Sequence, residues 1–187
     1  MGDTVERFLL TEDDLEESFF GEEPSVAYDP AFVSGDESGR VLIGLINTLT
    51  HGSHPEAVDH TAGLYTNVAG SVVFHHVARF RGDAARRILR QFVEALDKCD
   101  SYRMRLNDGM EFDVTKAAVE PLDGSADDGV VTRWVTTSDG YRIEGSWAVA
   151  VSGDILSFVN VRLPDPAGIH RLARTALERI ATGVASG

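Results

Sequence analysis

Cysteine is nearly missing from this chain: Cys99 is the only one in 187 residues. A single thiol cannot close an intramolecular disulfide, so the fold must rest on its core. Long apolar runs are missing too, and no window approaches the roughly 18 apolar residues of a transmembrane helix. The opening MGDTVERFLL has neither the basic start nor the apolar stretch of a signal peptide. The expectation is a cytoplasmic protein if the chain is full length, or an extracytoplasmic domain if a signal or anchor has been removed.

Motifs of familiar chemistry are also absent. There is no serine-nucleophile motif, no phosphate loop and no dinucleotide fingerprint. The glycines of SGDESGRVLIG lack both the preceding strand and the spacing those motifs need. Bases are scarce at the start: residues 1–38 hold 12 acids and one base, Arg7. The whole chain carries −13, and the remaining 149 residues contribute only −2 of it. Such an acidic arm repels nucleic acid and anionic membranes. It is expected to be a solvated, partly mobile leader. A local basic patch (Arg79, Arg81, Arg86, Arg87 and Arg90) could equally neutralise the arm.

What is present is ordinary globular material, 43% hydrophobic and 25% charged, enough for one domain spanning 1–187. Within the arm, Thr11 before Glu12, Asp13 and Asp14 predicts a short capped helix, with Leu15 and Phe19 able to dock. Residues 21–38 read as loop. The run VLIGLINTLT (41–50) fits a buried helix or a strand. Ser53, Pro55 and Glu56 in SHPEAVDHTAGLY predict a helix start.

The core is expected over 69–182. Val72–Phe80 alternates and is β-rich, so it predicts a strand. Ala85, Ile88, Leu89, Phe92, Leu96 and Cys99 recur at helical spacing. Cys99 falls on that stripe as an inert core thiol. Asn107-Asp108-Gly109 marks a hairpin. The strand MEFDVTKAAVEPL follows, then the loop DGSADDG, then three strands with turns at Ser138-Asp139-Gly140 and Ser152-Gly153-Asp154. After the break PDPAG, Ile169, Leu172, Ala173, Ala176, Leu177 and Ile180 mark a closing amphipathic helix. The order predicts an α+β fold: an antiparallel β-sheet with amphipathic helices packed on one face, and a cleft or cavity on or beside the sheet. The other face is then solvated, covered by the N-terminal segment, or the wall of a cavity.

This plan resembles the actinobacterial sensor-like domains related to the extracellular domain of the mycobacterial kinase PknH. The residues that carry the likeness are ILRQFVEALDKC, SGDILSFVNV, RLARTALERI and the opening FLLTEDDL. The resemblance implies an α+β domain with a cleft that binds a ligand outside the cell. Family members usually pair the cysteine at the Cys99 position, which has no partner here.

The doublet His75-His76 invites a metal or catalytic reading. In a strand, however, neighbouring side chains point to opposite faces. His76 shares its face with Val72, Phe74, Ala78 and Phe80 and reads as a core residue. His75, with Val73, Val77 and Arg79, is the better candidate for ligand contact or acid–base work. His51, His54 and His60, with Asp59, lack zinc-site spacing, so no metal and no cofactor are expected.

On the last strands, Arg142, Glu144 and Ser146 lie opposite Tyr141, Ile143 and Trp147. Leu156, Phe158, Asn160 and Arg162 lie opposite Val159 and Val161. With Arg133, Glu111 and Asp113, the charged positions could line a cleft, in which Asp113 or Glu144 would be an acid or base. The alternative is a solvated face of cross-strand ion pairs. Trp134, Trp147 and Tyr141 are candidate ligand walls or core. The ligand-contact candidates are thus Arg79, Arg133, Tyr141, Arg142, Trp147, Asn160 and Arg162. Three functions follow: a sensor-like module binding a partly apolar small molecule; an intracellular cyclase or isomerase of natural-product metabolism using the same cleft; or a protein-interaction module using the acidic arm.

Overall fold

The computed structural model describes residues 4–15, 19–22, 30–51, 53–122, 129–162 and 168–185. The expected loops DGSADDG and PDPAG fall largely outside these residues. The described chain is one α+β unit built on a nine-stranded sheet, every pairing antiparallel. The strands are β1 (Phe20–Glu22), β2 (Ala31–Gly35), β3 (Ala57–Thr66), β4 (Val72–Phe80), β5 (Ser101–Arg105), β6 (Glu111–Pro121), β7 (Gly129–Ser138), β8 (Tyr141–Ser152) and β9 (Ile155–Arg162). Their spatial order is β1-β3-β4-β9-β8-β7-β6-β5-β2. Three helices join them: α1 (Glu37–Thr50), α2 (Ala84–Lys98) and α3 (Gly168–Ala185). No helix among the described residues is long and apolar enough to cross a membrane.

The ambiguous run 41–50 is helical. Leu42, Ile43, Ile46 and Leu49 are buried at helical spacing, while Val41 and Gly44 are exposed. Gly39 lets this helix approach the sheet, because a Cβ there would lie 2.7 Å from the Tyr102 side chain. Helix α2 buries Ala84, Ala85, Ile88, Leu89, Phe92, Ala95 and Leu96 along one stripe, as its sequence predicts. The turns at Asn107–Gly109, Asp139-Gly140 and Gly153 also fall as expected. Gly109, Gly140 and Gly153 take positive φ, which their lack of a Cβ permits.

The helix expected after Ser53 is instead strand β3. Ser53–Glu56 forms a turn, in which the Ala57 N–H donates to the His54 carbonyl. The Glu56 carboxylate binds Arg87 of α2 rather than capping a helix. Beyond the turn, Thr61, Tyr65 and Thr66 suit a pleated surface. Residues Asp59–Thr66 pair one for one with Val72–Arg79.

The sheet has two differently covered faces. On the first, α1 and α2 pack over Ala78, Phe80, Val149, Val151, Leu156 and Phe158. Helices on one face were expected, and these two meet that expectation. On the second face α3 packs over Val73, Val131, Ala148, Ala150, Val159 and Val161. The N-terminal segment joins it there, with Val5 and Phe8 packed on Val77, Ile155 and Ile180.

The described part of the arm is therefore docked, not a loose leader. Two 3-10 turns, Val5–Phe8 and Glu12–Asp14, stand where a short helix was expected. Thr11 caps the second turn by a box with Asp14. β1, at the start of the segment read as loop, and β2, within it, form the two sheet edges.

Candidate functional site

Helices α1 and α2 cover only part of the first face. Along β4 they cover Phe80 and Ala78; along β9, Leu156 and Phe158; along β8, Val151 and Val149. The opening starts two residues further along β8 and β9, at Trp147 and Asn160, and on β4 at Phe74, beyond the buried His76. There the sheet forms a cavity of about 270 Å³ whose described walls are all strand residues. That size sits near the lower end of ligand pockets.

The walls are aromatic. Trp134 of β7 and Trp147 of β8 lie with ring centroids 5.0 Å apart. Tyr102 of β5 meets Trp134 edge-on at 5.7 Å. Phe74, Met104, Ile143, Val72, Val114 and Val161 complete the apolar lining. The indole N–H of Trp134 is buried with no hydrogen-bond partner among the described residues. Gly145 helps keep the site open: alternation points its α-carbon substituent into the cavity, and a Cβ would stand 3.3 Å from the Val161 carbonyl.

Two of the polar groups, Asn160 and Arg162, lie where β9 finishes, and a third, Thr136, lies two strands away on β7. Arg162 donates from Nε and Nη2 to the Gly70 carbonyl, at 3.2 and 2.6 Å. That carbonyl is presented by a turn in which Asn67 Oδ1 accepts the N–H groups of Ala69 and Ser71. Gly70 takes φ +78° in this turn.

Of the ligand candidates, the structure brings Trp147, Asn160 and Arg162 together here. Tyr141 is 74% exposed, outside the cavity lining. Arg79 lies on the α3 face, 3.8 Å from Asp154. Arg133 and Arg142 lie elsewhere on the surface, at 3.2 Å from Glu120 and 2.8 Å from Glu144. Asp113 pairs with Arg103, and Glu111 with Arg105. The charged positions thus form solvated ion pairs on the part of the second face that α3 leaves open, cross-strand for Arg103, Arg105 and Arg133 and within β8 for Arg142. Asp113 and Glu144 do not line the cavity. The Arg103 guanidinium beside Asp113 holds its carboxyl below the usual range.

The histidine doublet divides as strand geometry requires. His75 faces α3 and is fully buried. Its Nδ1 accepts the Leu10 N–H at 3.0 Å, so the neutral ring carries its proton on Nε2, facing Ser157 Oγ at 2.9 Å. Burial pushes the His75 imidazole down to about 3, with His76 adding to the effect. His76, on the first face, has no partner for either ring nitrogen among the described residues. Burial and then the neighbouring His60 push it down to about 3 as well. His60 lies 5.9 Å from it, ring to ring, and His54 packs edge-on against Phe80. Among the described residues, no group of three or more His, Cys, Asp or Glu side chains is placed to hold a metal ion. Cys99 is buried, and burial raises its thiol pKa.

Sequence reasoning missed Phe74, Tyr102, Met104, Thr136 and Gly145 as one site. Their alternation was legible, but the end of the helix cover that exposes them was not.

Comparison with solved structures finds the same architecture elsewhere. The extracellular domain of PknH from Mycobacterium tuberculosis superposes with a TM-score of 0.65 at 12% identity, over 95% of this chain and 93% of that one. The chain has the fold of that kinase's extracellular domain. An uncharacterised protein from Mycobacterium smegmatis aligns over 97% of this chain and 95% of its own, at 13% identity and a TM-score of 0.46. No protein-family model and no curated protein matches the chain by sequence.

Proposed function

We propose that this chain is a small-molecule-binding, sensor-like domain that holds a partly apolar ligand in the cavity between β5 and β4. The carrying observation is the cavity itself. It is an aromatic hollow of about 270 Å³ left open beyond the helix cover of the first face, with Asn160 and Arg162 at one end. Such a combination of apolar walls and a few convergent polar groups is what binding sites show. Sharing the fold of a kinase's extracellular domain fits a sensing role. Among the described lining residues none is Asp, Glu or His, which favours binding over acid–base catalysis as a cyclase or isomerase.

The test is a thermal-shift screen of small aromatic molecules against the intact chain. A ligand present at 100 times its Kd stabilises a fold by about 2.7 kcal/mol. The wild type is expected to shift and Thr136→Trp, which fills the cavity, is expected not to. Equal shifts in both would place binding elsewhere.

A further inference from the structure

Resting on that reading, we infer that the cavity is built for a flat aromatic acid, its ring against the tryptophans and its carboxylate at Arg162. The first ground is charge. Arg162 is the one formally charged side chain among the described lining residues, in a chain whose net charge is −13. A cation at the end of an apolar hollow selects for an anionic group, and charge-assisted hydrogen bonds to carboxylates are the strong ones.

The second ground is positioning. The Gly70 carbonyl takes Nε and Nη2 of Arg162, which fixes the plane of the guanidinium. Nη1 takes no part in that bond. The Asn67 side chain holds the turn that presents the carbonyl. A held guanidinium loses less side-chain freedom when a carboxylate arrives. Asn160, two residues before Arg162 on the same face of β9, adds an amide able to donate.

The third ground is the character of the walls. Trp134 and Trp147 are tilted by 42° at 5.0 Å, and Tyr102 is T-shaped on Trp134. Aromatic faces and edges at these spacings favour another π-system over a saturated chain. The buried Trp134 indole N–H, without a partner among the described residues, is one more donor beside the cavity and favours a ligand that carries acceptor oxygens. A cavity of about 270 Å³ has the room of roughly nine liquid waters at about 30 Å³ each, which suits a one- or two-ring acid.

The experiment is calorimetric titration with a matched pair of probes, 2-naphthoate and its neutral isostere 2-naphthamide. Wild type is expected to bind the acid about tenfold more tightly than the amide. Arg162→Gln should bring the two affinities together while leaving the amide within about twofold of wild type, and Arg162→Lys should restore part of the preference. Arg162 is exposed, so both variants should keep the wild-type melting temperature. Equal affinity of wild type for acid and amide would overturn this inference and leave the binding reading standing. A preference that survives Arg162→Gln would likewise overturn it. Failure of both probes to bind, or binding unchanged in Thr136→Trp, would overturn the inference and the binding reading together.

Discussion

Two adjacent histidines make opposite contributions at the residue scale. His75 satisfies the Leu10 N–H and meets Ser157, while His76 is buried with both nitrogens unpartnered among the described residues. Leucine has nearly the volume of histidine, so replacement tests the polar term alone. His75→Leu leaves the Leu10 N–H orphaned and is expected to cost about 1–3 kcal/mol. His76→Leu is expected to be neutral or stabilising, because it removes a polar group that gains nothing from burial. Urea melts of the two variants check this, and equal destabilisation would contradict it.

Both imidazoles also link stability to pH. Their folded-state values of about 3 lie below the ordinary imidazole value of 6.5. The unfolded chain therefore binds more protons between these values. Stability is full above about 6.5 and falls as pH drops toward 3, by about 1.4 kcal/mol per pH unit for each imidazole. Melts at about pH 7 and about pH 5 should show the loss, and each leucine variant should show a shallower one. A wild-type stability that does not change between these two pH values would contradict the assignment of two neutral imidazoles. The split of the doublet was legible from strand alternation. That His75 holds the N-terminal segment was not, because its partner is 65 residues away.

At the scale of elements, α2 and the strands β4 to β9 were legible because their apolar periodicity agrees with their tertiary burial. β3 was not. Its opening Ser-His-Pro-Glu carries a helix-start signature, and pairing with β4 overrides it. The N-terminal segment was misjudged for a related reason: its charge suggested solvent, while Val5, Phe8 and Leu10 bury against the α3 face. Arg179 of α3 helps hold it, donating to Asp14 at 2.7 Å and to Thr11 Oγ1 at 2.9 Å. Burial works against the Asp14 carboxylate, but the Thr11 N–H and Arg179 still hold its pKa below the usual range. Arg179→Ala is expected to speed hydrogen exchange at Leu10 and Leu15 and leave α2 unchanged. Uniform acceleration across both would mean that the segment does not open by itself. Phe92→Ala, in the stacked contact with Phe158 at 6.4 Å, is expected to cost about 3–5 kcal/mol, read from chemical denaturation.

For the molecule as a whole, the sheet is a wall with unequal cover. One face is covered by α3 and the N-terminal segment except where the ion pairs of β5 to β8 meet solvent; the other is covered by α1 and α2 only as far as Trp147. The open remainder is the cavity. The surface ion pairs of Arg103–Asp113 and Arg142–Glu144 stand apart from it. Asp113→Asn and Glu144→Gln are therefore expected to leave ligand binding unchanged and to move stability by less than about 1 kcal/mol. The α+β class was legible from element order. The site was legible only as alternating faces, because a cavity depends on where cover stops, and that is set by helix packing rather than by any strand's own residues.

Both tryptophans of the chain line the cavity, so their indole N–H resonances report on it directly. The most direct measurement is a nitrogen–proton NMR titration of the intact protein with 2-naphthoate. The account predicts that both indole signals and the Gly145 amide move together and saturate, while the exposed Asp113 and Glu144 amides stay in place. Movement confined to residues outside the cavity, or none at saturating probe, would contradict it.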